Sequence, residues 1–239
     1  MPTLYVVATP IGNLSDMSPR AIETLRSVQL IAAEDTRVTM KLLNAFDIST
    51  PLTSCHEHNE RSKAVQIAER MLAENIDVAV TTDAGTPCIS DPGSVLVREA
   101  TERGIPAVAV SGPTAMASAL SVSGMDISEF TFYGFLPRQK NELREKLTDM
   151  ARHSKIAVVH ESPHRVIELL QQVQAVLPHT FVSASCDLTK KFEQTLRGPV
   201  EQVHRLLEEN PKADKGEYCL CLRWAEEDIP APEAVREDI

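Results

Sequence analysis

The chain has 239 residues (26.3 kDa), is 43% hydrophobic and 24% charged, and carries a formal net charge of −10. This composition excludes a disordered, collagen-like or coiled-coil chain, and no apolar run approaches the roughly 20 residues that a membrane-spanning helix needs. The negative charge excludes bulk electrostatic coating of nucleic acid, but it is unevenly spread, with six acids against one base in residues 225–239.

Residues 4–9 form a β-branched apolar run that ends in the turn Thr9-Pro10-Ile11-Gly12-Asn13. With no basic n-region before that run, a secretory signal is not expected. Ser18-Pro19 is an N-cap followed by proline at the first helical position, and Ala21, Ile22, Leu25 and Val28 supply the apolar stripe. Strands are predicted at 30–33, 52–55, 77–82 and 106–110. Helices alternate with them at 38–46, at 59–73, from about 92 and up to about 122, and a strand at 130–133 closes this half. A linker at 134–138 leads to a charged helix at 140–152. Strands follow at 156–160, 180–186, 193–197 and 217–223, with helices at 163–177 and 199–208. The alternation predicts an α/β protein of two domains, 1–134 and 135–224, the first on a mostly parallel sheet. An α+β sheet of the same elements is the alternative. Residues 225–239, with two prolines and six acids, are predicted to be a disordered acidic tail.

The five cysteines (Cys55, Cys88, Cys186, Cys219, Cys221) have no framework spacing and read as reduced thiols of a cytoplasmic protein. Cys219 and Cys221, two apart on a strand, share one face, most simply as core. No glycine falls between Gly12 and Gly85, so the dinucleotide-type glycine loop after the first strand is missing. A P-loop and a G-x-S-x-G elbow are missing too. His56-Glu57-His58-Asn59-Glu60 resembles a zinc-protease motif, but Glu60 stands where the second histidine should be. Cys55, His56 and His58 are too close in sequence to share one tetrahedral metal readily, and no metal is expected.

Ligands of open α/β sheets bind outside the carboxyl ends of the strands. Four such ends carry polar or conformationally special residues: 9–13, 34–37, 81–87 and 111–115. Turn chemistry explains any one of them; four on one edge point to a ligand. Asp83 suits ribose hydroxyls or an ammonium group, and Thr82 and Thr86 are small donors. Thr114 and Ala115 open a helix whose free N–H groups favour a carboxylate. The set suits a zwitterionic, nucleoside-like ligand rather than a triphosphate.

TPIGNL at 9–14, AEDTR at 33–37, HEHNE at 56–60, DAGTP and ISDPG at 83–93, GFLPR at 134–138 and ESPHR at 161–165 occur in this order. Together they resemble the 16S rRNA cytidine 2′-O-methyltransferases of the tetrapyrrole-methylase (class III) superfamily, over nearly the whole body of the chain. The resemblance implies two α/β domains of tetrapyrrole-methylase type with S-adenosylmethionine in the cleft between them, in a cytoplasmic homodimer. It implies methylation of cytidine 1402 in 16S rRNA of the small ribosomal subunit. It places the cofactor on Pro10, Thr81, Thr82, Asp83, Thr86, Thr114 and Ala115, with Glu161 and Gly198 from the second domain. Two departures stand out: Ser111-Gly112-Pro113 where the family usually has Pro-Gly-Pro, and Cys186-Asp187 where it usually has Arg-Glu.

Methyl transfer from a sulfonium is an in-line displacement dominated by positioning, yet a ribose hydroxyl needs a nearby base or cation. Asp35 with Arg37, and Glu161 with Arg165, are the expected catalytic residues; His56, His58 and His164 are further candidates. A helix cap and an i,i+4 pair are the structural alternatives for the two pairs. RNA contacts are expected from local patches, namely the six bases against three acids in 138–155, with Lys190 and Lys191. Phe130, Phe132, Tyr133 and Phe135 cluster as core, hinge or stacking platform. A small-molecule (corrinoid or tetrapyrrole) methylase and a non-catalytic nucleoside-binding module are the competing functions.

Overall fold

Neighbouring residues of a β-strand point to opposite faces, and in the first half both faces are apolar. The structure, a computed structural model, describes residues 1–229. Strands β1 (Leu4–Val7), β2 (Leu30–Ala33), β3 (Leu52–Ser54), β4 (Val78–Thr81) and β5 (Ala107–Val110) form one sheet in the order β3-β2-β4-β1-β5, all parallel. Leu30, Ala32, Val78 and Val80 pack on helices α3 (Glu60–Glu74) and α4 (Ser94–Glu102) through Ile67, Met71, Leu96 and Ala100. Ile31, Ala79 and Val110 face the other way, onto α1 (Pro19–Ser27) and α2 (Thr36–Ala45) through Ala21, Leu25 and Leu43. A parallel sheet covered on both faces follows from that pattern. Ser18 caps α1 as expected, its Oγ accepting from Ala21 N at 3.1 Å.

The second half starts with helix α5 (Ala115–Ser121). Its sheet takes β6 (Thr131–Phe135), β7 (Ile156–Glu161), β8 (Phe181–Cys186), β9 (Gln194–Pro199) and β10 (Tyr218–Arg223) in the order β6-β7-β10-β8-β9. Only β6 and β7 run parallel. Ala157, Val159, Val182, Ala184, Leu220 and Leu222 face a core built with α6 (Lys140–His153), α7 (Val166–Val176) and α8 (Val200–Glu208). Cys219 and Cys221 are buried and alternate with the core-facing Leu220 and Leu222, so they share the opposite face. All five cysteines are free thiols.

Contacts divide the chain into two compact units, Met1–Thr114 and from Ala115 onward. Several details differ from the sequence expectation: helix α5, expected in the first domain, opens the second unit, and Gly134 and Phe135, expected in a linker, end β6. The strand predicted at 130–133 belongs to the second sheet, because β6-α6-β7 is a parallel crossover unit and Thr131 pairs with Ala157. The predicted disordered tail begins with an ordered turn at Glu226–Asp228, where the Asp228 carboxylate accepts from His179 N at 2.7 Å. The rest of that tail, 230–239, lies outside the described residues.

Candidate functional site

Because β1, β2, β4 and β5 are parallel, their carboxyl ends share one edge, and the loops there bond to one another. Thr9 N donates to Gly85 O at 2.8 Å and Gly85 N returns a bond to Thr9 O at 3.1 Å. Gly85 has φ +90°, which a residue with a side chain adopts only under strain. At the end of β2, Glu34 Oε2 accepts from Thr82 Oγ1 at 2.6 Å and from Asp83 N at 3.2 Å. Asp83 Oδ1 in turn accepts from Asp35 N at 3.1 Å. Asp35 caps α2 through Arg37 N at 2.8 Å and pairs with the Arg37 guanidinium at 2.6 Å. At the end of β5, a Cβ on Gly112 would lie 2.9 Å from Ala8 Cβ, so only glycine lets this turn approach β1 so closely. Thr86 Oγ1 donates to Pro113 O at 3.2 Å.

Glu34, Asp35, Thr36, Arg37, Ser54, His56 and Asp83 line an open depression of about 380 Å³ on this edge. Three carboxylates face one guanidinium there, and the titration behaviour follows. Hydrogen bonds from Arg37 hold the Asp35 carboxyl down at about 2, so it stays ionised and committed to Arg37. Partial burial, with Glu34 and Asp35 nearby, pushes Asp83 up. Two buried polar atoms in this region have no protein partner: Thr81 Oγ1, at the end of β4, and His56 Nδ1. Cys55, His56 and His58 form no metal cage; among the described residues no three His, Cys, Asp or Glu side chains come together as one. Glu60 of the same motif has a structural task. Its Oε1 accepts from Gly93 N at 2.6 Å and Val95 N at 3.1 Å, capping α4 from α3.

In the second unit, Glu161 ends β7 with its side chain fully buried. Its Oε1 accepts from Ser162 N at 2.7 Å, and Arg165 lies 3.4 Å from its Oε2. Burial raises the Glu161 pKa, against the pull of Ser162 N, Arg165 and Arg138. Arg165 also donates to Pro137 O at 3.0 Å, so the pair fastens the loop after β6 to the end of β7. Gly198 does not join Glu161. Through the ladder Gly198, Val182, Leu222 and Ala157 it sits level with the start of β7. That places it about 13 Å along the strands and about 14 Å across the sheet from Glu161. Ala115 opens α5.

Residues 3–204 match the family model described as Tetrapyrrole (Corrin/Porphyrin) Methylases. A Halalkalibacterium halodurans protein named ribosomal RNA small subunit methyltransferase I is 41% identical over 237 residues, covering 99% of this chain and 81% of that protein. Its namesake in Bacillus subtilis is 42% identical over 222 residues, 93% of this chain and 75% of that protein. The chain belongs to the ribosomal RNA small subunit methyltransferase I family of tetrapyrrole methylases. Solved structures extend the likeness in fold alone. A diphthine synthase aligns with a TM-score of 0.71 at 12% identity, covering 93% of this chain and 90% of that one. The uroporphyrin-III-C-methyltransferase of Thermus thermophilus aligns at 0.61 and 17% identity, covering 93% and 94%.

For this ribosomal RNA small subunit methyltransferase I family chain, sequence reasoning missed two carboxylates. Glu34 ties the β2 and β4 loops together; its signal was a Glu ending the strand beside the one that ends in Thr-Thr-Asp. Asp91, in the ISDPG motif, is half-buried and pushed up to about 6 by burial and by Glu34 and Asp83. A carboxyl raised above its unfolded value stabilises the fold fully below about 4, and that contribution declines as pH rises through about 6. Asp91→Asn is therefore expected to raise the melting temperature relative to the parent at pH 7.5, with the gain vanishing at pH 4. An equal gain at both pH values in thermal scans would contradict it.

Proposed function

We propose that this chain transfers the methyl group of S-adenosylmethionine to the 2′-hydroxyl of a cytidine, cytidine 1402 by resemblance, in 16S rRNA of the small ribosomal subunit. The observation that carries the proposal is the 41–42% identity, over 93–99% of the chain, to proteins named for small-subunit rRNA methylation. As the resemblance implies, the protein is taken to act as a cytoplasmic homodimer.

The first unit's edge fits the cofactor. Asp83 presents a carboxylate for ribose hydroxyls or an ammonium group, and Thr81 Oγ1 is a buried hydroxyl still lacking a partner. Pro10, Thr82, Thr86, Thr114 and Ala115 are assigned to the cofactor by resemblance. Thr82 and Thr86 already donate to Glu34 and Pro113, so they offer lone pairs rather than protons. When bound, S-adenosylmethionine supplies a methyl group activated by a positively charged sulfur.

Arg37, 86% exposed on its side chain, is assigned to a phosphate or ribose oxygen of the substrate, oriented by Asp35. Asp35 is a poor proton acceptor near neutral pH, because its carboxyl titrates at about 2. His56, in the same depression, is the better placed acceptor. Glu161 and Arg165 are assigned to holding the loop after β6. Glu161 and Gly198 remain the cofactor positions that the resemblance assigns in the second unit, with Gly198 across the second sheet from Glu161.

The test supplies labelled S-adenosylmethionine and small subunits from a strain lacking the endogenous enzyme. Label recovered in a 2′-O-methylcytidine supports the proposal. Label only in a tetrapyrrole acceptor, or tight cofactor binding with no transfer, overturns it.

A further inference from the structure

Phe192 projects from the β8–β9 hairpin with 74% of its surface exposed, although phenylalanine is ordinarily a core residue. The hairpin that carries it is firmly pinned. Asp187 N donates to Glu217 O at 3.1 Å and Lys190 N to Asp187 O at 2.9 Å. The Lys190 ammonium joins Asp187 at 3.1 Å and Glu217 at 3.0 Å, and Glu193 Oε2 accepts from Thr189 N at 2.6 Å. These bonds engage the hairpin's acids internally and leave Lys191 and Phe192 facing outward.

Across from them, the turn between α8 and β10 brings Lys212 and Lys215 to the same recess of about 800 Å³. The Lys191 and Lys212 ammonium groups lie 5.5 and 5.8 Å from the Phe192 ring centroid. Among the described residues, Lys191, Lys212 and Lys215 have no carboxylate within ion-pair distance. Gln194, Asn210, Cys186 and Tyr218 complete the wall with two carboxylates, Asp187, paired with Lys190, and Glu193, bonded to Thr189 N.

An exposed ring flanked by unneutralised cations and amides matches what an unpaired nucleotide requires. It offers a platform for the base, point charges for the phosphates and donors and acceptors for the base edge. An acidic peptide would use the lysines but would leave the ring without purpose. We propose that this recess of the second unit binds a single-stranded segment of the RNA substrate, with a base stacked on Phe192 and phosphates on Lys191 and Lys212. The proposal deepens the function given above and rests on it for the identity of the RNA. It also explains how an acidic chain holds RNA, by concentrating three free cations at one aromatic platform.

The test uses the full chain and a fluorescent, unstructured oligopyrimidine RNA, read by anisotropy, alongside methyl transfer to small subunits. Phe192→Ala is expected to weaken RNA binding roughly tenfold, and Phe192→Trp to restore it. Lys191→Gln with Lys212→Gln is expected to lower the salt slope by about 1.4. In methyl transfer these variants are expected to raise KM for small subunits with kcat retained. Unchanged RNA affinity in Phe192→Ala overturns the recess while leaving the methyl-transfer proposal intact. A change of oligomeric state in Phe192→Ala with RNA affinity retained also overturns it, marking the ring as a contact between copies. RNA binding that depends on Phe192, with no methyl transfer by the parent protein, overturns the function and spares the recess.

Discussion

Calorimetry of Asp83→Ala is expected to show S-adenosylmethionine bound at least about tenfold more weakly, a loss of about 1.4 kcal/mol or more, with the fold intact by circular dichroism. The size of the effect follows from the chemistry of the lost group. A carboxylate accepting from hydroxyls or an ammonium group makes charge-assisted bonds, each worth about 1.5–3 kcal/mol net. Asp83 is held for that task from two sides, by Asp35 N on its Oδ1 and by Glu34 on its own N–H. The fold survives because Asp83 is largely exposed and its side chain fills no core. Removing its charge is also expected to lower the Asp91 pKa, because Asp83 is one of the groups that raise it. An unchanged cofactor affinity in a folded Asp83→Ala protein would remove Asp83 from the site.

Urea unfolding of Glu60→Ala is expected to show about 3 kcal/mol less stability than the parent, with Glu60→Gln losing about a third of that. Glu60 is 8% exposed, and its Oε1 alone satisfies Gly93 N and Val95 N at the start of α4. Alanine leaves both N–H groups without an acceptor at a site that water reaches poorly, at about 1–3 kcal/mol each. It also removes a negative charge from the positive end of a helix dipole. Glutamine keeps the accepting oxygen and loses only the charge. The preceding loop adds to the cost, since Cys88 and Ser90 have φ of 71° and 64° and Gly93 has 127°. Such backbone persists only when its surroundings hold it. A loss under 1 kcal/mol in Glu60→Ala would show that the cap is dispensable.

What could be seen in the sequence was local. Ser18 before Pro19 announced a capped helix, alternation announced buried strands, and the two-residue spacing of Cys219 and Cys221 placed them on one face. The polar strand ends of the first unit were legible as a set, because parallel strands must end on the same edge. What escaped was set by partners distant in the chain. Phe130–Tyr133 announces a strand, but pairing with residues some 26 positions later decides which sheet receives it. Glu60 reads as a stray member of a metal motif until Gly93, 33 residues on, supplies its N–H. Glu34 and Asp83 are 49 residues apart, and nothing local announces their bond. Gly198 and Glu161 were joined to one cofactor by resemblance alone, and their places in the second sheet come only from the antiparallel register of β8, β9 and β10.

The position of β1 in the first sheet has a consequence for synthesis. It is made before the other strands of its sheet, yet it is flanked by β4 and β5, with Leu4 opposite Val78 and Ala107. At roughly 5–20 residues per second, the nascent segment Leu-Tyr-Val-Val waits about 5–20 s for its neighbours to emerge. During that interval both its edges are bare and its apolar side chains uncovered, a natural target for nascent-chain chaperones. Translation speed up to about residue 110, rather than the intrinsic pairing rate, then sets when the first unit can close.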